Sequence, residues 1–306
     1  MRSRARYLLS SRSTARGLFV LCLGAACVLP LLHCTAANGT ASPDPDAGDP
    51  PPDAAENVEA GAFNTGIPLP PDIGECAETT KQIYVLATDR ALYRFLPEKL
   101  EFVRIGQVAC PTVAGTFSMA IDRRGIAWVE YTDGRLFAVD TTTAKCQPTP
   151  FRPGQTGFET FGMGYSKNGD SETGETLYVS GVGLASLDTK TFKLGFLGSL
   201  TYGRTELTGL DTQLFAFSVG SGVIAGLNKT TGATEVVYRT SAVSERAAFA
   251  FAQWGGDFWV FTGDQHSIVT QYSPTENKST VVVQNTGMLI VGAGSSTCAP
   301  TTKPPR

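Results

Sequence analysis

The sequence predicts an all-β chain, a β-propeller of five four-stranded blades closed by its C-terminal strand. Three observations lead there. A four-strand pattern recurs about five times, its recurrences are spaced 44, 48, 40 and 45 residues apart, and the last apolar run has no outer strands of its own. The unit is clearest from Phe117 to Cys146. Period-2 alternation ends one apolar run at Ile121, the chain turns at Asp122 to Gly125, and a second run extends from Ile126 to Tyr131. Asp133-Gly134 then turns it into a third run, Leu136 to Val139, and Thr141-Thr142-Thr143 returns it towards a fourth. Such a small twisted sheet cannot bury both faces alone and requires neighbours of its own kind.

Third strands align on two apolar positions flanking one other residue: Tyr93-Arg94-Phe95, Phe137-Ala138-Val139, Ala185-Ser186-Leu187, Ala225-Gly226-Leu227 and Thr270-Gln271-Tyr272. The residues that follow are Leu96, Asp140, Asp188, Asn228 and Ser273. Asp and Asn there start turns, because their side chains accept hydrogen bonds from nearby backbone amides. First strands read FSMAI from Phe117, FGMGY from Phe161, TELTG from Thr205, AFAFA from Ala248 and MLIVG from Met288, small residues alternating with larger ones. Small side chains suit innermost strands, where blades converge on a narrow axis. The first blade, residues 82 to 107, has no inner strand of its own, and Met288 to Ala293 supplies it by ring closure. The 223 residues from 76 to 298 give about 44 per blade for five blades, too few for seven.

Ahead of the repeats lie two segments of different character. Residues 1–33 read as a signal peptide: five arginines and no acid, with an apolar run from Leu18 to Leu32 that is too short for a membrane span. Residues 34–75 read as a disordered Pro/Asp-rich linker, with eight acids, eight of the chain's 18 prolines and no Lys or Arg. From Cys76 onward 20 basic residues face 20 acidic ones, without a basic stripe or interleaved aromatics, which argues against nucleic acid as a partner. Residues 76–300 form the propeller and 301–306 a flexible tail.

Two cysteines stand near possible cleavage points. Cys27 follows Leu23-Gly24-Ala25-Ala26, and Cys34 follows Leu31-Leu32-His33. Parity selects Cys34 as the lipidated first residue, since it leaves Cys76, Cys110, Cys146 and Cys298 as an even set for an oxidising compartment. Ordinary signal-peptidase cleavage near Ala36 or Ala37 leaves the same four. Cys76 and Cys298 lie just outside strands that closure makes adjacent, so they are expected to be bonded; Cys110 then pairs with Cys146 by elimination.

The leader, the Asp/Pro tether and the strings SMAIDRRGIAWVEYTDGRLFAVDT, FGMGYS, ETLYVS, ELTG and VGAGSSTCAP together resemble uncharacterised lipoproteins abundant in myxobacteria. The likeness covers nearly the whole chain. It implies a secreted, propeller-like protein and transfers no catalytic residue, since that group carries no assigned activity.

Chemistry is sparse along the chain. Beyond the leader the only histidine is His266, in a Gly263-Asp264-Gln265-His266 turn, and there is no G-x-S-x-G to serve it. The cysteines are too widely spaced for paired C-x-x-C zinc ligation. The oxygen-rich loop Ser166 to Glu175 does not match a calcium loop and contains Lys167, so it reads as a solvated insertion. Gly181-Val182-Gly183-Leu184 precedes a strand and is no phosphate cradle. No cofactor or metal is expected. A glycan hydrolase needs two carboxyl groups facing one another across the scissile bond. The inner strands offer Glu206, and Asp122 at a strand end, and the propeller path sets these two at opposite faces.

Trp128, Trp254 and Trp259 lie in or beside second strands and read as packing between blades. The loop Pro150 to Thr160 joins two blades where inner strands begin, and reads either as a recognition loop or as an apolar flap sealing the blade junction. The expected binding face therefore comprises Phe151, Arg152, Phe158, Arg204 and Arg246. The resulting expectation is a non-enzymatic binding or scaffold protein of the cell envelope. It is held at the outer membrane or cell surface by a lipid anchor, or is periplasmic or secreted, with an envelope protein or glycan as ligand. The alternatives are an envelope glycan hydrolase, which two close carboxylates at one channel mouth would favour, and a purely structural envelope component.

Overall fold

The computed structural model describes residues 76, 78–169, 174–242 and 248–304, and these form five four-stranded antiparallel sheets. The leader, the linker and Cys34 lie outside the described residues, as do Arg246 and 170–173 of the oxygen-rich loop. Blade 1 orders β20 (Ile290–Ser295), β1 (Ile83–Ala87), β2 (Ala91–Leu96) and β3 (Glu101–Gln107) from axis to rim. Blade 2 contains β4 (Thr116–Ile121), β5 (Ile126–Tyr131), β6 (Leu136–Asp140) and β7 (Cys146–Pro148). Blade 3 contains β8 (Gly162–Lys167), β9 (Glu175–Ser180), β10 (Leu184–Leu187) and β11 (Leu194–Gly198). Blade 4 contains β12 (Thr205–Leu210), β13 (Gln213–Ser218), β14 (Val223–Leu227) and β15 (Thr234–Arg239). Blade 5 contains β16 (Ala248–Trp254), β17 (Asp257–Gly263), β18 (Ser267–Ser273) and β19 (Lys278–Val283).

The inner strands β20, β4, β8, β12 and β16 neighbour one another in that order and close the ring. Closure runs through β20, whose Ser295, Gly294 and Ala293 pair with Ile83, Tyr84 and Val85 of β1. This is the C-terminal strand expected from sequence, beginning two residues later than Met288.

Each junction between blades has its own apolar cluster, so the core is divided into five. Ile83, Phe95, Trp259 and Phe261 fill the junction of blades 5 and 1, and Leu86, Met119, Val129 and Tyr131 that of blades 1 and 2. Trp128, Phe161, Met163 and Phe192 lie between blades 2 and 3, Leu184, Leu207 and Leu214 between 3 and 4, and Phe217, Phe251 and Phe258 between 4 and 5. Second strands such as β5 and β17 are buried along their whole length because both faces meet a neighbouring blade, whereas rim strand β15 alternates between half-buried and exposed. Burying one such large apolar side chain stabilises the fold by about 1.5–3 kcal/mol. Trp128 and Trp259 belong to this packing, while half-buried Trp254 ends inner strand β16 and donates its indole N–H to the Lys81 carbonyl at 2.9 Å.

The turn from third to outer strand shares one backbone feature in every blade. Its fourth residue after the strand-ending position is left-handed each time: Leu100, Ala144, Phe192, Gly232 and Asn277, with φ of 58°, 58°, 57°, 73° and 49°. In blades 2, 3 and 4 the Asp or Asn expected from sequence organises it. Asp140 Oδ1 accepts the amides of Thr142 and Thr143, Asp188 Oδ1 those of Lys190 and Thr191, and Asn228 Oδ1 those of Thr230 and Thr231.

Two disulfides staple the ring, Cys76–Cys298 with Cα atoms 5.6 Å apart and Cys110–Cys146 at 5.2 Å, the two pairings expected. The first closes a loop of 222 residues, and a bridge of this kind contributes about 2–5 kcal/mol. Both indicate maturation in an oxidising, exported compartment. No helix among the described residues is long and apolar enough to cross a membrane.

Candidate functional site

All five inner strands run the same way along the axis, which gives the propeller an entry face, where they begin, and an exit face, where they end. The loop from β7 to β8 and the connection from β11 to β12 lie on the entry face. Of the residues expected to bind there, Phe151 and Phe158 are buried, their rings edge-on to Phe161 at 5.7 and 6.4 Å. Gln155 fixes the loop from within, donating to the Arg152 and Phe192 carbonyls, each at 3.0 Å. The apolar flap is therefore what these two phenylalanines build, and they offer no exposed aromatic contact. Arg152 and Arg204 are exposed, and the Arg204 guanidinium lies 5.6 Å from the centre of the Phe249 ring. Arg246 falls outside the described residues.

Beneath this face lies a pair of buried carboxylates. Glu206, near the start of β12, reaches past blade 3 to accept the Ser118 hydroxyl of blade 2 at 2.8 Å, and also takes the Met163 amide. Glu130 sits opposite Ser118 in the β4–β5 register and accepts the Phe161 amide at 2.9 Å through Oε2. Its Oε1 is buried and has no hydrogen-bond partner. Gly162 makes this closeness possible, since a side chain there would meet the Thr205 carbonyl oxygen at 2.0 Å.

No cation forms an ion pair with either acid among the described residues. Burial pushes Glu206 well above the ordinary glutamate range, against the opposing pull of Ser118, the Met163 amide and the charge of Arg204. Burial likewise raises Glu130 well above that range; the Phe161 amide opposes this, and the charges of Glu206 and Asp133 add to it. Both carboxyl groups are thus held above the ordinary range by burial, and neither has a cation in ion-pair contact to oppose it.

At the exit face the chemistry differs. Asp122, only 2% exposed, accepts the amides of Arg124 and Ile126, each at 2.9 Å, and forms a salt bridge with the Arg124 guanidinium at 2.7 Å. It lies at the opposite end from Glu206, as expected. Half-buried Glu175, the first residue of β9, accepts the Arg123 amide at 2.9 Å and the Thr297 hydroxyl at 2.7 Å. It thereby ties blades 2 and 3 to the closing segment. Burial is the main cause of its rise to about 7, with the charge of Asp122 assisting. His266 is exposed in its turn. Among the described residues, no group of three or more His, Cys, Asp or Glu is arranged to hold a metal ion.

Sequence reasoning missed Glu130 and Glu175. The available signal for Glu130 was a single charged residue inside the otherwise apolar run Ile126 to Tyr131, a position that must face another blade. Glu175 was hidden by its place at the edge of a loop that reads as solvated.

No family model matches this chain, and none of the curated proteins does. Among solved structures it is similar to a chain in the crystal structure of a nidogen/laminin complex, with 12% identity, coverage of 70% of this chain and 85% of that one, and a TM-score of 0.44. A protein of unknown function from Bacteroides caccae is 11% identical over 70% of this chain and 97% of that one, with a TM-score of 0.42. Dihydro-heme d1 dehydrogenase NirN is 12% identical over 70% of this chain and 46% of that one, with a TM-score of 0.33.

Proposed function

We propose that this chain is an exported, lipid-anchored propeller that acts at the cell envelope by binding rather than by catalysis. The observation that carries the reading is the burial of the two acids: Glu206 reaches past blade 3 to Ser118, and Glu206 and Glu130 are 3% and 0% exposed. A glycan cannot approach a pair so enclosed, and a general acid or base must come within hydrogen-bonding reach of the atom it serves. What remains open on the entry face is arginine-bearing loop on a rigid scaffold, the usual setting for recognition. Arg152 and Arg204 make no ion pair among the described residues, so both guanidinium groups are available to an anionic or polar partner on the envelope.

Anchoring through Cys34 rests on the arginine-rich leader, the parity of the cysteines and the acidic tether. Two acyl chains hold a protein firmly, whereas one binds marginally. Cys34→Ser is expected to release the protein from membranes; a variant that stays membrane-bound contradicts the anchor. For binding, capture of envelope fractions and of a glycan array by the wild type is compared with that by an Arg152→Ala, Arg204→Ala variant. Loss of capture supports the entry face, and equal capture removes it. Glu130 and Glu206, two acids at one end of the axis, are the observation that favours the hydrolase as second reading. Polysaccharide turnover abolished by Glu206→Gln would establish that reading in place of binding.

A further inference from the structure

The exit face carries a cleft of about 750 Å³ between blades 4 and 5. Asp211, Thr212 and Gln213 of the β12–β13 turn form one wall, and Gly255, Gly256 and Asp257 of the β16–β17 turn form another. The third wall is the chain's own tail. Thr301 to Lys303, expected to be flexible, lie along the glycine pair: the Gly255 amide donates to the Pro300 carbonyl at 2.7 Å, and a side chain on Gly256 would meet the Thr301 carbonyl oxygen at 2.6 Å. Lys303 ends the contact by placing its ammonium 3.1 Å from Asp257 Oδ2.

Asp257 is the unusual member. Its side chain is 5% exposed, a Gln271 amide donates to the same oxygen, and Lys303 is its only ion-pair partner among the described residues. An ionised carboxylate so buried is strongly stabilised by a counter-charge. Here the counter-charge sits on a 60% exposed lysine that belongs to no strand and follows the last disulfide, so it is held by little beyond the contacts just described. Asp211, 60% exposed, adds a second carboxylate to the cleft, bridged at 3.3 Å by Lys167 from outside it. Without the tail, the lining retains two acids and no base.

We propose that this cleft is a binding site for an extended, lysine-bearing peptide segment of a partner protein, and that residues 301–303 occupy it as an intramolecular competitor. The tail shows the mode of recognition: the backbone of the guest takes an amide at the glycine pair, and its lysine neutralises Asp257. Tethering gives the tail an effective concentration on the order of millimolar, so an outside peptide of similar intrinsic affinity is suppressed until the tail leaves. The inference is independent of the entry-face reading, since the two surfaces lie at opposite ends of the axis.

The test uses a fluorescent peptide with the sequence of Ala299 to Arg306 and reads polarisation on the full mature chain and on one ending at Pro300. The shortened chain keeps every strand and both disulfides. It is expected to bind at least tenfold more tightly than the full chain, and Lys303→Ala in the full chain, which leaves Asp257 without its ion-pair partner, to strengthen binding several-fold. Asp257→Asn in the shortened chain should weaken binding at least tenfold, and the exposed Asp211→Asn a few-fold. Equal binding by full and shortened chains, or an Asp257→Asn variant that binds as well as its parent, overturns the proposal.

Discussion

The two ends of the propeller axis bury the same functional group and compensate it in opposite ways. At the exit end Asp122 is matched by an arginine and by backbone amides, so its charge belongs to the structure. At the entry end Glu130 and Glu206 accept hydrogen bonds from neutral donors and, among the described residues, form no ion pair, although the charge of Arg204 acts on Glu206. An arginine two residues away makes Asp122 a cross-link for the β4–β5 turn, whereas the other two acids have no ion-pair partner among the described residues and burial raises them. Burial alone therefore says little about a carboxylate; the charge beside it decides what it does.

The harshest way to break this contrast is to remove the strand that supports both ends. Deleting residues 288–306 takes away β20, bares the edge of β1 and uncovers the apolar junctions beside blade 1. Loss of the cooperative transition and aggregation are expected in thermal unfolding; a chain ending at Gly287 that melts as the full chain does would contradict ring closure.

Next in size are paired substitutions at the two ends. Asp122→Ala leaves the Arg124 guanidinium and several donors without a partner and is expected to cost about 3–5 kcal/mol in denaturant unfolding. Glu206→Gln replaces a carboxyl group that has no ion-pair partner among the described residues by an amide of the same shape, and is expected to change stability by less than about 1 kcal/mol at pH 7. If the two variants lost equal stability, the contrast in compensation would be wrong.

The smallest expected effect sharpens the role of local turns at the exit end. Leu100 holds a φ of 58° at 36% exposure, so Leu100→Gly relieves left-handed strain with little packing loss. A gain of up to about 1 kcal/mol is expected from the same unfolding measurement. A clear loss would show that the Leu100 side chain matters more than its backbone.

These turns also show how far the sequence could be read. The blade count, the third strands and the closing strand were legible because each rests on local periodicity and turn chemistry, as at Asp140, Asp188 and Asn228. The shared left-handed residue was legible only at Gly232 and Asn277, since Leu100, Ala144 and Phe192 adopt it against their own preference. The entry end was far less readable. Glu130 lies on a second strand and Ser118 on a first, and the sequence places them in separate runs; only the β4–β5 register and the passage of Glu206 past blade 3 bring the three together. Phe151 and Phe158 were ambiguous for the same reason, because Phe161, the ring they pack on, is a partner whose orientation no local pattern reveals.

Stability as a function of pH tests the central contrast most directly. Glu130, Glu206 and Glu175 all have folded-state values raised above the unfolded one, so their contribution is fully present below the unfolded value, near 4.5, and is lost as pH rises through the folded values. Glu175 gives it up around pH 7. Denaturant unfolding between pH 5 and 9 is expected to show the wild type losing stability as pH rises, and a Glu130→Gln, Glu206→Gln variant losing less, with the difference growing towards pH 9. A wild type that gains stability over this range, or a double variant with an unchanged slope, would mean that burial does not raise the two carboxyl groups in the folded protein, and would contradict the account.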